Sequence, residues 1–180
     1  MREIVTERLV LRRFTAGDLP AFAAYRNDPE VARYQAWDVP YSRSEADRFL
    51  VAQQSVEFGG SGGWVQLAVV DRSDGRLAGD CAVRIVEDQP RTAELGVTFS
   101  RQAQGAGFAG EALTAVITRL FAEHALHRVY AETDERNRAA HRLFERLGFR
   151  CEARLIDADW CKGEWTTLRL FALLHHEWNS

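Results

Sequence analysis

The chain of 180 residues is poor in cysteine and proline, with three of the former (Cys81, Cys151, Cys161) and four of the latter. The cysteines are odd in number and no two stand at CxxC spacing. That argues against a disulfide framework or a zinc knuckle and fits a reducing cytosol. Long hydrophobic runs are also missing. The longest, Leu170 to Leu174, is far below the roughly 20 residues that a membrane-crossing helix needs. The opening MREIVTERLVLRRF alternates charge with hydrophobe and lacks the apolar stretch of a secretion signal. Nor is there an excess of positive charge. Lys and Arg number 23 against 26 Asp and Glu, a formal net charge of −3, so the basic footprint of a nucleic-acid binder is absent. What is there is ordinary: 46% hydrophobic and 27% charged residues, near the averages of globular proteins and unlike those of disordered or fibrous chains. We expect one soluble cytoplasmic domain over residues 1–180, with no membrane or nucleic-acid partner. Its function must come from a local site.

The pattern along the chain predicts a mixed sheet with helices on its faces. Arg8 to Phe14 alternates as a strand. Thr15-Ala16-Gly17-Asp18 and Ser42-Arg43-Ser44-Glu45 both have the spacing of a capping box, and each opens a helix. Gly59-Gly60-Ser61-Gly62-Gly63 ends the second of these and reads as a hinge. Strands follow over 64–70 and 77–86, joined by a turn at Ser73-Asp74-Gly75, and then over 93–99 after a loop containing Pro90. Leu113, Val116, Ile117, Leu120 and Phe121 form the apolar stripe of a helix. A strand over 128–133, a helix over 137–146 capped by Gly148, and two strands over 149–156 and 164–174 complete the order. His175-His176-Glu177 reads as a solvated tail. His124 and His127 lack companions at metal-ligand spacing, so no metal site is expected.

Between a strand and an amphipathic helix lies Gln104-Gly105-Ala106-Gly107-Phe108-Ala109-Gly110. The first amides of a helix have no intrahelical partner, and the helix dipole favours an anion there. Glycine lets a phosphate approach without a Cβ in the way, so the segment is a candidate pyrophosphate cradle. Residues 105–110 also spell GxGxxG. A dinucleotide fold, however, runs its strand almost directly into the first glycine, whereas polar residues 100–104 intervene here. Too little chain follows Glu132 for the remaining units of a doubly wound sheet.

A second block, Asn137-Arg138-Ala139-Ala140-His141-Arg142-Leu143-Phe144-Glu145-Arg146-Leu147-Gly148-Phe149, follows after one strand. Together with Gln104-x-x-Gly107-x-Ala109, it resembles the two cofactor-binding motifs of the GNAT N-acetyltransferases. Thr6 to Arg12, and Trp160-x-Lys162-Gly163-Glu164-Trp165 before a long last strand, resemble the Rim-type branch, the ribosomal-protein N-terminal acetyltransferases. The resemblance implies an α+β fold whose mixed central sheet splays between two parallel strands, opening after Phe99. It implies acetyl-CoA as cofactor, with its pantetheine arm on backbone groups of Val97 and Phe99. Gln104, Gly105, Gly107, Phe108 and Ala109 would form the pyrophosphate end, and Asn137 would reach into the cleft. Asn137 also suits a plain helix N-cap.

The same resemblance implies transfer of acetyl from the thioester to a primary amine, with Glu94 as general base; the alternative for Glu94 is an ordinary outward-facing strand residue. Tyr34, Trp37 and Trp160 would wall the acceptor pocket, with Asp38, Tyr41 and Trp165 nearby. Phe144 stands where the family often has a tyrosine that protonates the leaving thiolate. Thiols, with a pKa of about 8.5, leave readily without one, and Cys151, Tyr130 or water could serve instead. Freeing an α-amino group of its proton at pH 7 costs about 1 kcal/mol, against about 4.6 for a lysine. A protein N-terminal α-amino group is therefore the expected acceptor. A small amine or antibiotic, or a weakly active acyl-CoA-binding module, are the alternatives. The family likeness also allows a homodimer.

Overall fold

The computed structural model describes residues 1–60, 63–89 and 91–178. Ser61 and Gly62 of the expected hinge, and Pro90 of the expected loop, lie outside it. In chain order the elements are β1 (Ile4–Val5), β2 (Leu9–Arg13), α1 (Leu19–Arg26), α2 (Pro29–Ala32), α3 (Arg43–Gln54), β3 (Val65–Asp71), β4 (Leu77–Ile85) and β5 (Thr92–Phe99). There follow α4 (Phe108–His124), β6 (Arg128–Asp134), α5 (Arg138–Arg146), β7 (Arg150–Cys161) and β8 (Glu164–Leu174). Both capping boxes form. Asp18 accepts from the Thr15 amide and hydroxyl at 2.7 and 2.8 Å, and Ser42 exchanges bonds with Glu45 at its hydroxyl and its amide.

The strands make one sheet in the order β1-β2-β3-β4-β5-β6-β8-β7. Every neighbouring pair is antiparallel except β5 and β6. That parallel pair is short: Thr92, Ala93 and Glu94 face Arg128, Val129 and Tyr130. Beyond Glu94, β5 stays with β4 as far as Phe99, while β6 stays with β8 as far as Asp134. The strands therefore part after Glu94 and Tyr130. The opening begins five residues before Phe99, the point expected from the motif, because each strand keeps its antiparallel partner and no longer pairs across the seam.

Strand alternation gives the sheet two faces. On one, the side chains of Leu67, Val83, Leu95 and Phe171 pack under α4 and α5, against Leu113, Ile117 and Leu120. On the other, α1 and α3 cover only the first half of the sheet. Phe22 stacks on Phe49 at 4.4 Å and meets Phe14 at 4.9 Å and Tyr41 at 5.8 Å. The rest of that second face is left open, and there the cleft forms.

Three local expectations need correction. A short β1 precedes the expected first strand and pairs with it. Strand β7 runs on to Cys161 rather than stopping at Ile156. Its Asp157 adopts φ 47° and the ladder shifts register between Leu155 and Asp159, so an apparent turn is absorbed as a bulge. Residues His175–Glu177, expected as a solvated tail, keep both histidines exposed but form a 3-10 turn. His175 stacks on Phe121 at 4.8 Å, and Glu177 accepts from the Leu174 amide at 2.8 Å.

Candidate active site

The cofactor-side motif folds as the glycines require. Gly105 and Gly107 have φ of 80° and 82°, the left-handed region that side chains with a Cβ disfavour. Gly107 is the N-cap of α4, and no side chain caps that helix. The amides of Phe108, Ala109 and Gly110 are thus those an α-helix leaves unpaired in its first turn. Around Gly105 a Cβ would meet nothing within 4 Å, so the turn is open to a ligand. An uncapped 17-residue helix behind an open glycine turn fits a pyrophosphate.

Arg8 adds a positive charge here that the motif did not reveal. Its guanidinium bonds the Ala106 carbonyl at 2.9 Å, pairs with Glu111 at 2.6 Å and lies 4.9 Å from the Phe108 ring centre. Glu111 also accepts from the Thr6 hydroxyl. Burial alone would raise its carboxyl, but the bonds from Thr6 and Arg8 hold it below the usual range. The resemblance of Thr6 to Arg12 therefore has a mechanical basis: that segment braces the cradle. The Gln104 side chain turns back and donates to the Phe99 carbonyl at 3.0 Å.

Val97 and Phe99 stand at the edge of the seam. The Val86 amide bonds the Thr92 carbonyl, and the Ser100 amide bonds the Ala78 carbonyl. Even-numbered residues of β5 therefore turn their backbone groups to β4, and odd-numbered ones turn theirs to the gap. Past Glu94 no strand pairs with β5 on that side. Val97 offers its amide and carbonyl unpaired by strand, and Phe99 its amide. Asn137 caps α5 through the Ala140 amide at 3.1 Å and lines the cavity as well.

The cavity, about 610 Å³, occupies the open part of the second face. Its floor is the even-numbered side chains of β4, β5 and β6, including Asp80, Glu94 and Glu132, and its far wall carries Asp159 and Cys161 of β7. Tyr34 and Trp37 line it as well. Trp160 does not reach it. Asp159 and Cys161 point inward, so alternation turns Trp160 to the opposite side of β7, where it is 59% exposed against Trp165 at 5.3 Å. Tyr41 is buried in the aromatic cluster of α1 and α3, and Phe144 is core, 6.0 Å from Phe171 and 5.2 Å from Phe149.

Two carboxylates face each other across the seam with different partners. Glu94 is held by the Arg84 guanidinium and accepts from the Tyr130 hydroxyl at 3.2 Å. Burial, then the charge of Glu94, pushes the Tyr130 phenol up. Glu132 has no hydrogen bond or ion pair among the described residues. Its surface is open to cleft water, yet burial and then repulsion from Glu94 raise its carboxyl above the usual range, with Asp159 adding to the rise and Arg84 opposing it. Deeper in, Asp80 is buried and accepts from the Tyr25 hydroxyl. Burial pushes its carboxyl up to about 6, against the lowering effect of Arg26 and Tyr25. Among the described residues no group of three or more His, Cys, Asp or Glu is placed to hold a metal, and no helix is long and apolar enough to cross a membrane.

Comparison with known proteins agrees with this geometry. The model of the acetyltransferase (GNAT) domain matches residues 8–150. The uncharacterized N-acetyltransferase p20 of Bacillus licheniformis is 27% identical over 178 residues, covering 99% of both chains. Two solved structures share the fold. One is the spermidine N-acetyltransferase of Vibrio cholerae in complex with CoA and spermine, with a TM-score of 0.83, 20% identity, and coverage of 97% and 100% of the two chains. The other is RimL, a ribosomal α-N-protein acetyltransferase in complex with coenzyme A, with a TM-score of 0.83, 19% identity, and coverage of 96% and 98%. The chain belongs to the GNAT acetyltransferase family and is an N-acetyltransferase. Acetyl-CoA is the cosubstrate of that family.

Proposed function

We propose that this enzyme transfers acetyl from acetyl-CoA to the α-amino group of a protein or peptide N terminus. The observation that carries the reading is the divided sheet: an anion cradle of backbone amides opens α4, which packs on one face, and an acid-floored cavity roofed by aromatic rings spans the seam on the other face. Acetyl-CoA supplies an activated acyl carbon with a thiol as leaving group. Its pyrophosphate would lie on the amides of residues 105–109, and its arm along the free backbone of Val97 and Phe99, which aims the thioester at the cavity.

The amine must arrive neutral at that carbon. Glu94, fixed by Arg84 and Tyr130, orients the ammonium or an intervening water, and Glu132 receives the proton. Glu94 is already engaged by a guanidinium and a phenol, whereas the Glu132 side chain has no such partner, and burial and the charge of Glu94 raise its affinity for protons. The C–N bond then forms as the C–S bond breaks, and the sulfur leaves as thiolate. Buried Phe144 offers no proton, which a thiol does not require.

A carboxylate base of this strength suits an α-amino group, whose deprotonation at pH 7 costs about 1 kcal/mol, better than a lysine, at about 4.6. The test is thiol release from acetyl-CoA with peptides bearing a free N terminus, their N-blocked lysine counterparts, and spermidine. Free N termini should turn over faster than either. Faster turnover of spermidine or of lysine would overturn the α-amino assignment and leave the acetyltransferase intact.

A further inference from the structure

Arg26 is a charged side chain that the reaction just described leaves without a task. It sits at the end of α1, is 6% exposed, and lines the cavity. Its guanidinium carbon lies 4.0 Å from the ring centre of Trp37, 4.3 Å from Phe22 and 5.0 Å from Tyr41. Trp37 is itself fastened to the Arg26 carbonyl through its indole N–H at 3.0 Å. With rings packed so closely about it, the planar cation can offer little but its edge.

That edge is poorly satisfied. Nη2 reaches the Gln66 side-chain oxygen at 3.3 Å, and Nε is buried with no partner. Among the described residues Arg26 has no ion pair. The nearby carboxyl of Asp80 is occupied by the Tyr25 hydroxyl instead. A buried guanidinium with idle donors, facing a cavity of substrate size, is the arrangement that recognises a planar anion.

Resting on the N-terminal reading above, we infer that Arg26 is a carboxylate-recognising subsite, and that the preferred acceptor is an N terminus whose second residue is Asp or Glu. Geometry selects the second residue. Gln66 pairs with Ala82, and Ala82 with Gly96 at the seam. Arg26 is therefore about two strand spacings, roughly 10 Å, from the line where the amine reacts. The α-carboxylate of a free amino acid lies only about 3 Å from its own nitrogen and falls short. A side-chain carboxylate one residue further along reaches about 6–8 Å, and one charge-assisted hydrogen bond of about 2.8 Å spans what remains. The opposite charges are also laid out for such a ligand. Glu94 and Glu132 attend the ammonium end, and Arg26 stands at the other wall.

The experiment compares two peptides identical except at the second position, Ser-Glu and Ser-Gln, with the full-length enzyme and acetyl-CoA. The Ser-Glu peptide should have a kcat/KM at least about tenfold higher, carried by KM, as expected for one charge-assisted pair. In Arg26→Gln the ratio should collapse to near one. Because it is a ratio within one enzyme, partial loss of folded protein does not alter it. Should that variant fail to fold, the N-acetylated Ser-Glu product must still inhibit the unaltered enzyme more strongly than its Ser-Gln counterpart. Equal turnover of the two peptides, equal inhibition by the two products, or a preference that survives Arg26→Gln, would overturn the subsite alone. Turnover of spermidine with none of either peptide would instead sink the N-terminal reading and take this inference with it.

Discussion

The cofactor end and the acceptor end of the site are built from different materials. The cofactor side is mostly backbone: a glycine turn, a free helix start and the unpaired edge of β5, contributed by one stretch of chain from residue 97 to 110. The acceptor side is mostly side chain, gathered from α1, β4, β5, β6 and β7. A backbone cradle recognises a group that never varies, and its requirements are conformational, so few substitutions are tolerated in it. A side-chain cavity recognises by charge and shape, and single residues can retune it without disturbing the fold.

Substitutions on the two sides should fail in different ways. The largest effect is expected on the acceptor side: Glu132→Gln should lower kcat/KM by about 10²-fold, the usual weight of a general base, while calorimetric affinity for CoA stays unchanged. The base must be unprotonated to act, so activity of the unaltered enzyme should fall as pH drops through a value above the ordinary glutamate pKa of about 4.3. Glu132→Gln should lose that limb of the profile. Retention of the limb would return the role to Glu94.

Next comes stability. Folded Asp80 titrates at about 6, above its unfolded value of about 3.9, so the folded protein holds that proton more tightly. The contribution is fully present below pH 4 and is lost as pH rises through 6. Relative to Asp80→Asn, the unaltered protein should therefore lose about 2–3 kcal/mol between pH 4 and pH 7 in denaturant titrations. A constant difference would mean that Asp80 is not buried as an acid.

On the cofactor side, Gly107→Val forces a β-branched residue to φ 82°. CoA affinity should fall about tenfold by calorimetry as the amides lose their aim, with KM for the amine little altered. The smallest effect is expected from Asn137→Ala. Loss of the cap on α5 should cost about 1 kcal/mol, a fall of about 2–4 °C in the thermal midpoint.

The same division explains what could be read from the sequence. Gly105, Gly107 and the helix start at Phe108 were legible because turn chemistry is local, as were both capping boxes and the stripe from Leu113 to Phe121. Tyr34, Trp37 and Glu94 were legible as positions, but the state of Glu94 was not, since it depends on Arg84 lying opposite in the β4–β5 register. Glu132 was not singled out as a base, because polar residues alternate along β6 at Tyr130, Glu132 and Asp134. Nothing local marks which of these stays unpaired. Trp160 was misjudged because a bulge at Asp157 separates it from the regular part of β7. Arg26 falls near the end of a helix expected from its capping box, and only the packing of Phe22, Trp37 and Tyr41 around it reveals a buried cation.

The hairpin tip draws one consequence from all this. Lys162 donates to the Ala32 carbonyl, and the Cys161 thiol lies 3.9 Å from the Gln35 carbonyl, so the far end of β7 is tethered above the cleft to the segment carrying Tyr34 and Trp37. The parallel seam beneath is only three residue pairs long. Whatever occupies the cleft therefore adds a rivet across two half-sheets already joined by that short weld, the strap above and the core they share under α4. Loading with coenzyme should raise the temperature at which they melt together.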